Sequence, residues 1–236
     1  MTLAHVAHRH SRTPATMVHA TSPAVPAAAR TRVEMHAARH GWALRVLDAG
    51  ELADARYRAN PVDRCYFCKT NLYDRIREHT ADTIASGTNT DDLSDFRPGL
   101  KAAAEHGVVH PYVEARLDKA AVYAIAASLG LTDLERLPAQ PCLASRVETG
   151  IAIDAADLAF IDAVESHLAA QLPQGAVIRC RITQAGVAIE LGDHSAEARE
   201  IADAIGRATC TAAGRAFVGV RGYARGAAFL RQGHDG

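Results

Sequence analysis

Three consecutive segments near the start of the chain constrain its fold most strongly. Residues 16–22 (TMVHATS) alternate polar and apolar side chains as a strand does, and Pro23 and Pro26 end the run. Residues 27–40 then follow helical spacing, with alanines, Val33 and Met35 placed for burial on one face and Gly41 closing the helix. Residues 42–47 form a second short strand pattern. Strand, helix and strand in this order read as a βαβ unit with parallel strands. The alternation continues with a helix over 63–79 and a short apolar strand over 83–86 that runs into GTNTDD. A strongly periodic helix over 119–129 follows, stopped by Gly130.

After about Val147 the pattern changes. An amphipathic helix over 154–172 ends at Pro173 and Gly175. Strand patterns over 176–183 and 187–191, a helix over 196–209 and a strand over 217–220 follow. The expectation is an α/β domain over residues 1–147 and a small α+β domain over 148–236. A chain of 236 residues, 48% apolar and 22% charged, can build both cores without disulfides. A formal charge of −1 gives no electrostatic argument for nucleic acid or a membrane surface, and no run approaches the ~18 apolar residues of a membrane span. Residues 1–33 contain no acid. That composition suits a transit peptide, and the lack of an apolar stretch excludes a secretory signal. His5 and His8 lie one helical turn apart. With no carboxylate or cysteine beside them, a solvated helix end is the expectation rather than a metal site.

Four constellations carry chemistry. Gly87, Thr88, Asn89, Asp91 and Asp92 follow a strand, at the sheet end where ligands bind. Asp91, Asp92 and Asp95 suit Mg²⁺ beside phosphates, and Arg97 suits a phosphate clamp. A plain turn with an Asp helix cap explains the same residues equally well. Cys65 and Cys68 form a CxxC, readable as half a zinc site, a redox pair or an iron–sulfur pair; no second pair completes a zinc ribbon. Cys142 lies in the loop PCLASR, where Ser145 and Arg146 would favour a reactive thiolate. Arg179 and Arg181 point to one face of a strand as an anion patch, and Glu190 on the following strand can pair with them instead. Cys180 and Cys210 receive no role.

NPVDRCYFCKTNLYD, the stretch from SGTNTDD to AAVYAIAASLGL, and PCLASRVETG resemble, in order, the LarE-type ATP-dependent sulfur transferases of the PP-loop superfamily. The resemblance is strong over residues 20–153 and weaker beyond. It implies a PP-loop domain, an adenine nucleotide alpha hydrolase-like parallel sheet, followed by a small α+β domain, in a cytoplasmic homo-oligomer. It implies that a carboxylate of a pyridinium mononucleotide is adenylylated with ATP and Mg²⁺ and then thiolated, for the nickel-pincer cofactor of lactate racemase. By that pattern Gly87, Thr88, Asn89, Asp91, Asp92 and Arg97 serve the nucleotide. Cys142, Ser145, Arg146 and Glu165 lie at the reacting centre, and Arg179, Arg181 and Glu190 bind the substrate. In one branch of the family a single cysteine gives up its own sulfur. In the other, three cysteines hold a [4Fe–4S] cluster, and Cys65, Cys68 and Cys142 match that branch.

Three departures follow from the same comparison of motifs. The family's SGGxDS phosphate loop is not among these residues, so the sheet is expected to lack its first strand and ATP binding to suffer. The expected place of the loop is directly before Met1, in a longer protein. Ala188 stands where the family has Arg, and the stretch from Gly219 to Ala227 keeps Gly-Tyr without the family's Asp, Arg and Ser. Two other readings remain at this stage: a degenerate, non-catalytic PP-loop protein acting as oligomer partner or cluster carrier, and a tRNA-thiolation enzyme.

Overall fold

A computed structural model describes residues 1–94, 97–138, 140–193 and 195–224. In chain order the elements are α1 (Thr2–His10), β1 (Thr16–Thr21), α2 (Ala27–His40), β2 (Ala43–Asp48), α3 (Ala55–Arg58), α4 (Arg64–Arg77), α5 (Pro98–Glu105), α6 (Pro111–Glu114), α7 (Lys119–Ser128), α8 (Ala155–Gln171), β3 (Ile178–Thr183), β4 (Gly186–Leu191), α9 (Ala196–Ala212) and β5 (Phe217–Gly222). The molecule is of the mixed α/β class, with a two-stranded parallel sheet and a separate three-stranded sheet. No helix among the described residues is long and apolar enough to cross a membrane.

The chain divides into two units. The first comprises Met1–Ser22, Ala28–Asp54 and Asp63–Gln140; the second comprises Pro23–Ala27, Ala55–Val62 and Pro141–Gly236.

In unit one, β1 and β2 pair in parallel from Thr16↔Ala43 to Thr21↔Asp48, the βαβ geometry that the alternation predicts. The expected strand at 83–86 contracts to a single parallel bridge, Ala85↔Val109. The amide of Val109 donates to Ile84 and that of Ser86 to Val109, after which the chain turns away. Leu47, Tyr73, Ile76, Ile84, Ala102, Ala103 and Val108 form a core between β2, α4 and α5. The expected apolar face of α2 is a second correction. Met35 is 44% exposed, and the buried face carries His36 and Ala37 instead. His36 tolerates burial because both ring nitrogens find polar partners. His5 likewise is fully buried, so the solvated helix end predicted for it does not hold.

In unit two, β4 is central, antiparallel to β3 and parallel to β5. Helix α8 turns Leu158, Ile161, Val164 and Leu168 inward, and α9 contributes Ala198, Ala202 and Cys210. Asp154 and Ser195 cap the two helices through side-chain acceptors to the amides of Ala156 and Ala198. Gly206 permits the approach of α9 to β5: a Cβ there would stand 2.5 Å from the Phe217 ring.

Candidate active site

The PCLASR loop opens the Pro141–Gly236 stretch of unit two, and its shape follows from one side chain. Residues Leu143–Arg146 make a single 3-10 turn, with Cys142 as the preceding extended residue. Arg146, 3% exposed, spends its donors on holding that turn. Its Nη1 donates to the carbonyls of Pro141 (2.7 Å) and Cys142 (3.1 Å) and to the Ser145 hydroxyl (3.0 Å). Its Nε and Nη2 meet Oε1 and Oε2 of Glu165 on α8 at 2.9 and 2.8 Å. Oε1 of Glu165 also accepts the amide of Cys180 in β3, 2.9 Å away. Loop, helix and strand are thereby tied at one carboxylate.

A second ion pair lies alongside. Arg181 donates through Nε to Glu190 (2.8 Å) and through Nη1 to the carbonyl of Ser145 (2.7 Å). Glu190 is 1% exposed and takes a further bond from Arg221 at 3.1 Å. The pairing that the sequence left open between Glu190 and the arginines is therefore made by Arg181 and Arg221. Arg179 differs. It is half-buried, donates to the carbonyl of Ile178, lies over the Tyr223 ring, and has no carboxylate at ion-pair distance among the described residues. Burial, with the neighbouring Arg146 cation, lowers its pKa from the usual arginine value. Three guanidinium groups thus share two carboxylates and Arg179 adds a fourth cation, which leaves the patch electropositive.

Cys142 is free and half-buried. Cys180 and Cys210 are buried, and burial pushes both thiols up from their ordinary values, so they remain protonated at neutral pH.

In unit one, Cys65 and Cys68 stand three residues apart in the first turns of α4, both half-buried and in no disulfide among the described residues. The GTNTDD loop is strongly self-bonded. Oδ1 of Asn89 accepts the amide of Asp91, and Oδ2 of Asp92 accepts the amide of Asn89, a reciprocal cap of a 3-10 turn at Thr90–Leu93. Asp91 accepts the amide of Lys119 at 3.1 Å, and Arg97 pairs with Asp92 at 2.7 Å. Gly87 is exposed, and Thr88 shares a hydrogen bond with Ser86, whose hydroxyl also meets Nδ1 of His110. Asp95 lies outside the described residues, as do Arg225, Gly226 and Ala227.

Two arrangements escape the sequence. Asn60, in the NPVDRC segment, is fully buried at a positive φ of 53°, and its Nδ2 reaches the carbonyls of Glu148 (2.8 Å) and Ile151 (2.9 Å) in unit two. An Asn before Pro was the available signal, since Asn tolerates the left-handed region. The other is the meeting of His5 with His36 and His40, for which the His-x₃-His spacing on α2 was the only signal.

No protein-family model matches the chain. It is 38% identical over 132 residues to an uncharacterized protein of Synechocystis, covering 54% of this chain and 49% of the relative. It is 31% identical over 113 residues to an uncharacterized protein of Methanocaldococcus jannaschii, covering 46% of this chain and 44% of the relative. It is also 31% identical over 121 residues to the pyridinium-3,5-bisthiocarboxylic acid mononucleotide synthase of Lactiplantibacillus plantarum, covering 50% of this chain and 44% of the relative. The chain spans about half the length of the curated relatives it matches.

Proposed function

We propose that this chain is an ATP-dependent sulfur transferase of the LarE type, which thiolates a carboxylate of a pyridinium mononucleotide on the route to the nickel-pincer cofactor. The observation that carries the reading is Arg179: a half-buried cation with no carboxylate partner among the described residues, beside a locked cysteine loop. A fork-shaped donor of this kind suits the phosphate of a mononucleotide. Similarity to a pyridinium-3,5-bisthiocarboxylic acid mononucleotide synthase supports the choice of substrate class.

The chemistry requires two displacements. A substrate carboxylate oxygen attacks the α-phosphorus of ATP, and pyrophosphate leaves. A sulfur nucleophile then attacks the acyl carbon, and AMP departs with the electrons of the C–O bond. Activation is needed because a carboxylate oxygen is a poor leaving group and AMP a good one. Gly87, Thr88 and Asn89 would contact the nucleotide, with Asp91, Asp92 and Arg97 serving Mg²⁺ and phosphate. Arg146 and Glu165 act as positioning residues that fix the loop bearing Cys142 and Ser145. Arg181 and Glu190 hold the strand that presents Arg179.

Thiolates are soft donors of the kind iron–sulfur clusters take, and Cys65, Cys68 and Cys142 are each half-buried. Cys65, Cys68 and Cys142 would hold a [4Fe–4S] cluster, which when bound supplies an iron-held sulfide as the sulfur source. We propose further that the protein works as a homo-oligomer, which sedimentation velocity would resolve.

The test is anaerobic incubation with MgATP, sulfide and a pyridinium dicarboxylate mononucleotide, with AMP and thiocarboxylate quantified by mass spectrometry. AMP and thiolated product should appear together and vanish in Cys142→Ala. Thiolation retained by Cys142→Ala overturns the site assignment. A second reading, a degenerate PP-loop protein without turnover, is favoured by the internal bonding of the GTNTDD loop, where Asp92 is already committed to Asn89 and Arg97. Mononucleotide binding without AMP release would select it.

A further inference from the structure

Three imidazoles from two helices converge within unit one. His36 and His40 stand four residues apart on one side of α2, and His5 reaches them from α1. Nε2 of His5 lies 2.9 Å from Nδ1 of His36. Nε2 of His36 lies 2.8 Å from Oδ2 of Asp133. The His40 ring centroid is 4.6 Å from that of His5 and 5.8 Å from that of His36. One nitrogen from each ring lies within 4.8 Å of the others.

The hydrogen bonds assign the protons. Burial alone would raise Asp133, but the hydrogen bond from His36 leads the effects that outweigh it and hold the carboxyl below the usual range. An ionised carboxylate only accepts, so Nε2 of His36 carries a proton, and in the ligating form of the ring Nδ1 is the atom that keeps a lone pair. His5 then donates from Nε2, and its own Nδ1 is left buried with no hydrogen-bond partner among the described residues. An interior lone pair without a donor is costly, and a cation would satisfy the one on Nδ1 of His5.

We propose that His5, His36 and His40 form a binding site for a divalent first-row transition ion of the Zn²⁺ type, with Asp133 orienting His36 from behind. Neutral imidazoles are the donors such an ion takes, whereas Mg²⁺ and Ca²⁺ seek oxygen. Burial, then the neighbouring imidazoles, pushes His5 down to about 4, which keeps it in the neutral ligand form. Zinc–nitrogen bonds of about 2.1 Å place tetrahedral ligand atoms roughly 3.4 Å apart, so ring rotation suffices to close the set. The Asp133–His36 contact is the carboxylate–histidine–metal arrangement that fixes tautomer and raises ligand basicity. The Trp42 ring, 4.6 Å from His5 and 6.1 Å from His36, walls the site. Bound metal would staple α1 to α2.

The test uses the full chain with Cys65→Ser, Cys68→Ser and Cys142→Ser, so that thiolates contribute nothing. After chelator treatment it is titrated with Zn²⁺ against a chromophoric competitor, and with Co²⁺ for visible d–d absorption. One ion per chain, submicromolar affinity for Zn²⁺ and a raised Tm are expected. His40→Ala, at a half-buried position, should keep the far-UV circular dichroism and lose affinity by about 100-fold or more. Asp133→Asn should lose about 10- to 100-fold. Absence of saturable binding at millimolar Zn²⁺, or unchanged affinity in His40→Ala, overturns the proposal.

Discussion

Arg146 and Glu165, nineteen residues apart in the chain, meet through two parallel hydrogen bonds of 2.9 and 2.8 Å. The Arg146 side chain is 4% exposed and that of Glu165 14%, so each charge depends on the other for its solvation. Removing one partner of such a pair strands the other, at a cost of about 3 kcal/mol or more. Glu165→Gln is therefore expected to lower the urea midpoint of unfolding by that equivalent and to loosen the Cys142 loop. Faster alkylation of Cys142 by iodoacetamide in the folded variant would report the second effect. Unchanged stability and alkylation would remove Glu165 as the anchor.

Asn60 gives a second prediction. Its Nδ2 serves the Glu148 and Ile151 carbonyls, and its backbone carbonyl accepts the amide of Gly150. Asn60→Ala leaves two carbonyls short of a donor and places Ala at positive φ. The expected loss is about 2 kcal/mol or more, read by thermal denaturation. Asn60→Gly, which relieves the backbone but not the carbonyls, should recover part of it.

These two sites differ in how visible they were from sequence. Strand and helix bounds came through because alternation, Pro23, Pro173 and the closing glycines act locally, and predicted α2 matches the observed Ala27–His40. The strand at 83–86 did not survive, because pairing needs a neighbour, and Ala85 finds only one bridge to Val109. Arg146 and Glu165 entered through family resemblance; no periodicity links a loop arginine to a helix glutamate nineteen positions later. The buried His5 was misjudged because its partner, His36, lies 31 residues away, and Asp133, which holds His36, a further 97, where local composition says nothing.

His106 predicts a pH dependence. Burial alone would lower its pKa, but the Ala102 carbonyl (2.7 Å from Nδ1) and Asp74 (3.0 Å from Nε2) raise it overall. Both ring nitrogens face acceptors, and only the imidazolium donates from both. A raised folded-state pKa adds stability that is complete below the ordinary value of about 6.5 and is lost as pH rises through the raised one. The Tm difference between the natural chain and Asp74→Asn should be larger near pH 6 than near pH 8.5. Equal differences at both would rule the contribution out.

Arg179 and Arg181 share a strand face yet should fail in opposite ways. Arg181 is committed to Glu190 and to the carbonyl of Ser145, and the Glu190 side chain is 1% exposed. Arg181→Ala strips a buried carboxylate of one of its two cations, so loss of stability by about 3 kcal/mol is expected, with Arg221 compensating only in part. Among the described residues Arg179 holds a carbonyl and the face of Tyr223 and no carboxylate, so Arg179→Ala should shift Tm little. Its deletion instead removes a charge-assisted contact worth about 1.5–3 kcal/mol, equivalent to roughly 10- to 100-fold weaker binding of a pyridinium mononucleotide. Isothermal titration with the mononucleotide and its dephosphorylated nucleoside separates the phosphate contribution. If Arg179 holds the phosphate, the nucleoside should bind both chains equally, and only the mononucleotide should distinguish them.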